Sequence, residues 1–168
     1  MFSARPRGRT IVALSAMAAL ALAGCGSEGA EPGAAAFVNA HAAVALRAGS
    51  EAKTVEAAMA RAAGALDPSQ EAQLVTAAGK ADRDMVAASE WDDPESGMEE
   101  NLEQAEAESI EGASHLAIAM AAARDYASRH GAAALARYRS QLAFGRQRWD
   151  EGVFELWYLA HRHGPPTI

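Results

Sequence analysis

Residues 102–127, LEQAEAESIEGASHLAIAMAAARDYA, decide the fold class. Leu102, Ala105, Ser109, Ala113, Leu116, Met120, Ala123 and Ala127 recur at steps of three and four, which places them on one face of a helix. Most of that face is small side chains, so it predicts a helix whose backbone approaches its neighbour closely. Leu142, Gly145, Trp149, Val153, Leu156 and Ala160 form a second stripe of the same period. Between the stripes lies His130-Gly131, a place for the chain to reverse. An antiparallel pair of long helices follows, about 95–130 and 132–163, closed by Gly131 and by Gly164-Pro165-Pro166. Gly112, Gly145 and Gly152 lie inside them and are candidate breaks or bends.

Upstream, helix signals continue and strand signals are lacking. Asp67-Pro68-Ser69-Gln70 reads as a helix start, with a capping acid, proline at the first helical position and glutamine completing a capping box. That helix is expected over 67–89, with a boundary at Trp91-Asp92-Asp93-Pro94. Before it, Gly49 and Ser50 divide the chain into helices over about 34–47 and 51–65. The expected fold is therefore all-α: an Ala-rich bundle of about five helices, the C-terminal antiparallel hairpin covered by three shorter helices. Seven of the ten aromatics lie between 126 and 158, which predicts that the bulk of the core sits there.

At 168 residues the chain has room for one domain. Half of it is hydrophobic but only 6% is aromatic, so alanine supplies much of the apolar content, and alanine is the best helix former. The formal net charge is −7. The three arginines Arg5, Arg7 and Arg9 stand alone in the first 24 residues, and every one of the 22 acids comes later. A body this acidic repels a phosphate backbone, which excludes nucleic acid as a partner.

The basic residues 5–9 precede a thirteen-residue uncharged, mostly apolar run, Ile11 to Ala23. Its length suits the core of an export signal and falls short of the ~20 residues that span a bilayer. Then comes Leu22-Ala23-Gly24-Cys25. This resembles the lipobox of bacterial lipoproteins, an aliphatic residue and two small residues before the cysteine. The resemblance covers residues 1–25 and implies that a signal peptide, 1–24, is removed. It implies a diacylglyceryl group on the Cys25 thiol, and hence a protein anchored in a membrane by lipid. Cys25 is the single cysteine, so the remaining chain has no intramolecular disulfide. Residues 25–33 then read as lipidated cysteine and flexible tether, and 34–168 as the helical domain. Gly26 follows the cysteine in place of the aspartate that commonly retains such proteins at the inner membrane. The outer membrane, facing the periplasm, is the expected address where a second membrane exists.

From Asp84 to Glu111 there are eleven acids and no lysine or arginine, whereas 124–148 holds six arginines and one acid. Antiparallel helices would bring the two runs together, so ion pairing within the chain is expected, with an external cation or basic partner as the alternative. Glu108, Glu111 and His115 share a helical face and read as a polar surface stripe, with metal ligation as the alternative. His161 and His163 point apart on a helix and chelate only if its end unwinds. Met59, Met85, Met98 and Met120 fall at apolar positions and read as core, as do Trp149, Trp157 and Tyr158, with a ligand groove as the alternative. No residue is assigned a catalytic role: the sequence has no nucleophile elbow, Walker loop or haem-attachment motif, and Ser114 beside His115 faces another way. The expected function is a non-enzymatic, membrane-tethered binding or scaffolding domain for another envelope component, with no cofactor beyond the lipid. A small-ligand or metal-binding bundle is the alternative, and an envelope hydrolase the third.

Overall fold

The structure, a computed structural model, describes residues 32–62, 66–91 and 100–161. Among these residues the chain is all-helical: α1 (Pro32–Arg61), α2 (Pro68–Ser89), α3 (Glu100–Arg129) and α4 (Ala132–His161). There are four helices where five were expected. Gly49 and Ser50 do not divide α1, which runs for 30 residues. Gly49 is buried between Ala48 and Ala52, both also buried, and the Ser50 carbonyl accepts a bond from Thr54 Oγ1 at 3.0 Å. A mid-helix glycine costs about 1 kcal/mol, which tertiary packing of its alanine neighbours outweighs. α1 is thus as long as α3 and α4, and the long pair is covered by two helices rather than three short ones.

α2 begins where its capping signal predicts. Asp67 Oδ1 accepts from Gln70 N at 2.9 Å, and Gln70 Oε1 accepts from Asp67 N at 3.0 Å. α3 ends at Arg129, next to the expected boundary. His130, not Gly131, takes the left-handed conformation, φ 49°, while its N–H bonds Tyr126 O at 2.7 Å. A non-glycine residue is strained there, and its imidazole Nε2 lies 2.8 Å from Glu71 Oε1 on α2. That contact fixes the turn to the neighbouring helix.

Each helix packs against the next, and α4 returns to α1. α3 touches α4 most extensively, α1 meets α3 only lightly across the diagonal, and α2 and α4 do not touch. All eight residues of the α3 stripe are buried. The three interior glycines do not break their helices, which run without interruption. They are contact points. A Cβ on Gly112 would lie 2.7 Å from Trp149 Cα, one on Gly145 2.8 Å from Leu116 N, and one on Gly152 2.6 Å from Ser109 N. Backbone therefore lies against backbone along the α3/α4 seam, at a separation any side chain would widen.

The aromatic-rich segment contributes less to the core than its composition suggests. Tyr138 and Trp149 are buried, but Phe144, Phe154 and Tyr158 are exposed. The other large rings inside come from elsewhere. Trp91 packs with its ring centroid 6.0 Å from Trp149 and 6.0 Å from Phe37, and stacks on His41 at 5.0 Å. That cluster ties the start of α1 to the end of α4.

Gly112→Ala is expected to destabilise the bundle by about 1–3 kcal/mol, because the clash is with backbone that has no rotamer to change. Gly79→Ala meets only Arg124 and Arg83 side-chain atoms at 3.9 Å, and should stabilise by about 0.5–1 kcal/mol through helix propensity. Urea denaturation followed by circular dichroism separates the two. Equal effects would contradict the close seam.

Candidate functional site

The sparse packing of α1 on α4 leaves a groove. Glu56 Oε1 accepts from Arg146 Nη2 at 2.6 Å, bridging the two helices, and Arg146 Nη1 also lies 3.5 Å from Asp150. Beyond that bridge, toward the end of α1, the wall is built of Ala57 and Ala60 with Ala62 just past the helix. These side chains are too small to reach α4. The opposite wall is Leu135, Tyr138 and Leu142, with Met59 and Tyr126 between, enclosing an open volume of about 670 Å³. Lys53 and Arg139 stand at its edge with Glu56. The surface is mostly apolar, with more basic than acidic groups around it, on a chain whose net charge is −7.

Tyr138 is the buried polar group of this site, only 5% exposed. Its phenol pKa is pushed up to about 12, chiefly by burial and further by the negative charge of Glu56, with Arg146 opposing. The proton stays on the oxygen through the physiological range.

The sequence candidates occupy other places. Cys25, Leu22, Ala23, Gly24, Met98 and His163 lie outside the described residues. Glu108 and Glu111 are brought together, with Arg148 across them: its Nη1 donates to Glu108 Oε1 at 3.3 Å, and its Nε lies 3.4 Å from Glu111 Oε2. A guanidinium thus stands where a cation shared by those carboxylates would be held. His115 turns to α4 instead, its Nδ1 2.6 Å from Gln141 Oε1 and its ring 4.5 Å from Phe144. Among the described residues, no group of three or more His, Cys, Asp or Glu side chains is placed to hold a metal ion.

The expected pairing of acidic and basic runs occurs for Arg148 and takes other routes elsewhere. Arg146 reaches Glu56 on α1, Arg124 lies 3.6 Å from Asp82 on α2, and Arg129 pairs with Asp125 on its own helix. Between α1 and α2, Arg47 pairs with Asp84 at 3.1 Å and Lys80 with Glu51. Burial lifts the Glu51 carboxyl above its usual range, with Lys80 opposing and Asp84 adding to the rise. Met59, Met85, Met120 and Trp149 are core. His161 packs beside Trp157, ring centroids 5.5 Å apart. Ser114 Oγ donates to Ile110 O at 2.9 Å, along its own helix and not toward His115.

No family model matches the chain, and neither does any curated protein or solved structure. The groove is the feature the sequence did not announce. Its one signal was the pattern Ala57, Ala60, Ala62, small residues where a packed helix would carry large ones.

Tyr138 offers a direct test of the site. Its folded-state value lies above the ordinary 10, so folding favours the neutral phenol. That stabilisation is whole below pH 10 and is lost as pH rises through about 12. Tyrosinate absorbance should show a late component near 12 that Tyr138→Phe removes. A titration already complete at about pH 11 would contradict the burial.

Proposed function

We propose that this chain is a lipid-anchored protein of the cell envelope whose helical bundle is a non-enzymatic binding domain. The address rests on the resemblance of Leu22-Ala23-Gly24-Cys25 to a lipobox, with the basic residues and apolar run before it. Cys25 carries the lipid, the only non-protein group the reading requires, and the default location is the outer membrane facing the periplasm. Among the described residues no helix is long and apolar enough to cross a membrane.

The groove between α1 and α4 carries the binding half of the proposal. Its volume of about 670 Å³ falls within the range of small-molecule sites, and its mostly apolar wall with a few polar groups has the composition such sites share. The favoured occupant is an apolar segment of another envelope protein, and a small apolar ligand is the second reading of the same groove. The metal-binding alternative at Glu108, Glu111 and His115 requires Arg148 to leave both carboxylates, which the present arrangement disfavours.

Two experiments test the halves separately. Cys25→Ser should release the protein from the membrane fraction and block its processing. A variant that stays bound and is processed like the wild type overturns the anchor. A photo-crosslinking residue at the exposed Ala60, in the groove wall, should give a defined adduct in cells, whereas one at the exposed Thr76 on α2 should not. No adduct from position 60, or the same adducts from both positions, overturns the groove as the binding surface.

A further inference from the structure

Near its C-terminal end α4 carries two large rings that the bundle does not bury. Phe154 is 54% exposed and Tyr158 46% exposed, and the rings stack with centroids 6.4 Å apart and planes within 8°. They are outside the core because α4 turns Trp149, Leu156, Leu159 and Ala160 inward. Trp157, next to them in sequence, is half-buried against Phe37 and His41 of α1. The exposed pair therefore lies at the same end of the bundle as the first turns of α1, on a neighbouring face of α4.

That part of α1 is unusual in charge. From Pro32 to Leu46 it has no charged residue apart from what His41 can acquire, and its first fixed charge is Arg47. Residues 26–31 join the bundle at this same end. From Cys25 to Pro32 the chain reaches at most about 25 Å even fully extended. A lipid on Cys25 would keep the uncharged start of α1, and the end of the bundle that carries Phe154 and Tyr158, within that reach of the bilayer surface.

We propose that Phe154 and Tyr158 dock the domain on that surface, with their rings at headgroup depth. The proposal rests on the lipid anchor at Cys25. A tyrosine, with its polar tip, partitions to the membrane interface, and a phenylalanine beside it adds apolar area that the interface buries. Two rings are too few to recruit a free protein, but the anchor makes the contact intramolecular, so a weak interaction acts at high effective concentration. Docking of this end directs the groove, at the other end of α1, away from the bilayer and into the aqueous space.

The test uses the full-length protein extracted from membranes. The mass of its N-terminal peptide comes first, and an unmodified Cys25 overturns the anchor and the docking together. With Cys25 blocked by lipid, Glu155→Cys provides the only free thiol and takes a fluorescent label, and Ala133→Cys at the start of α4 provides the reference. The proteins are reconstituted in phosphatidylcholine vesicles containing nitroxide-labelled lipid, a zwitterionic surface chosen because Glu151 and Glu155 beside the rings are repelled by anionic headgroups. The label at 155 should be quenched several-fold more than the label at 133. Adding Phe154→Ser and Tyr158→Ser should abolish that difference and leave helical content and flotation with the vesicles unchanged. Equal quenching at 155 and 133, or a difference that survives the double replacement, overturns the docking while the anchor stands.

Discussion

Along the α3/α4 seam, Gly112 faces Trp149, Gly145 faces Leu116, and Gly152 faces Ser109. Each missing side chain is opposed by a particular neighbour, so sliding one helix by a turn would put a Cβ into backbone. The seam fixes register by exclusion, where a bundle with a leucine core fixes it by interlocking large side chains. Close backbone approach also multiplies short dispersion contacts, each small and large only in sum. This is how a chain with few large apolar residues, and no disulfide available after Cys25, holds two 30-residue helices together. Ser109, fully buried on the seam, bonds the Ala105 carbonyl at 2.8 Å, so its hydroxyl is not left unpaired.

What the sequence made legible was what local chemistry decides. The α3 stripe and the Asp67–Gln70 capping box depend on residues within a turn or two of each other, and both appear as expected. Misreadings fell where distant residues decide. Gly49-Ser50 has the form of a helix end, yet packing carries α1 through it. The left-handed conformation of His130, with Glu71 beside its ring, was not foreseen, although the end of α3 was. The aromatics of 126–158 suggest a core by their bulk. Burial depends on the face each occupies, and Phe144, Phe154 and Tyr158 occupy outward ones.

The charged residues follow the same division. Arg146 and Arg148 belong to one basic run, but two residues apart on a helix they point about 200° from each other. Arg148 therefore meets Glu108 and Glu111 on α3, while Arg146 crosses to Glu56 on α1. The two bridges differ in consequence. Arg148 is more exposed and contributes little stability. Arg146, more enclosed, bounds the groove and places Glu56 near Tyr138. The groove itself was hard to see in the sequence because it consists of volume that Ala57, Ala60 and Ala62 fail to fill, a pattern that no motif marks.

These features leave α1 unevenly held. Its first turns are clamped by Phe37, His41, Trp91 and Trp149, and its middle is tied by Arg146, Asp84 and Lys80. Past Glu56 it faces α4 across the groove. An occupant there would bury Ala57 and Ala60 against Leu135 and Leu142, adding the packing between α1 and α4 that the chain alone does not supply. Occupancy and bundle stability are then linked, since whatever binds only the folded groove stabilises the fold by mass action. An open part of the bundle is therefore one that an occupant would stabilise.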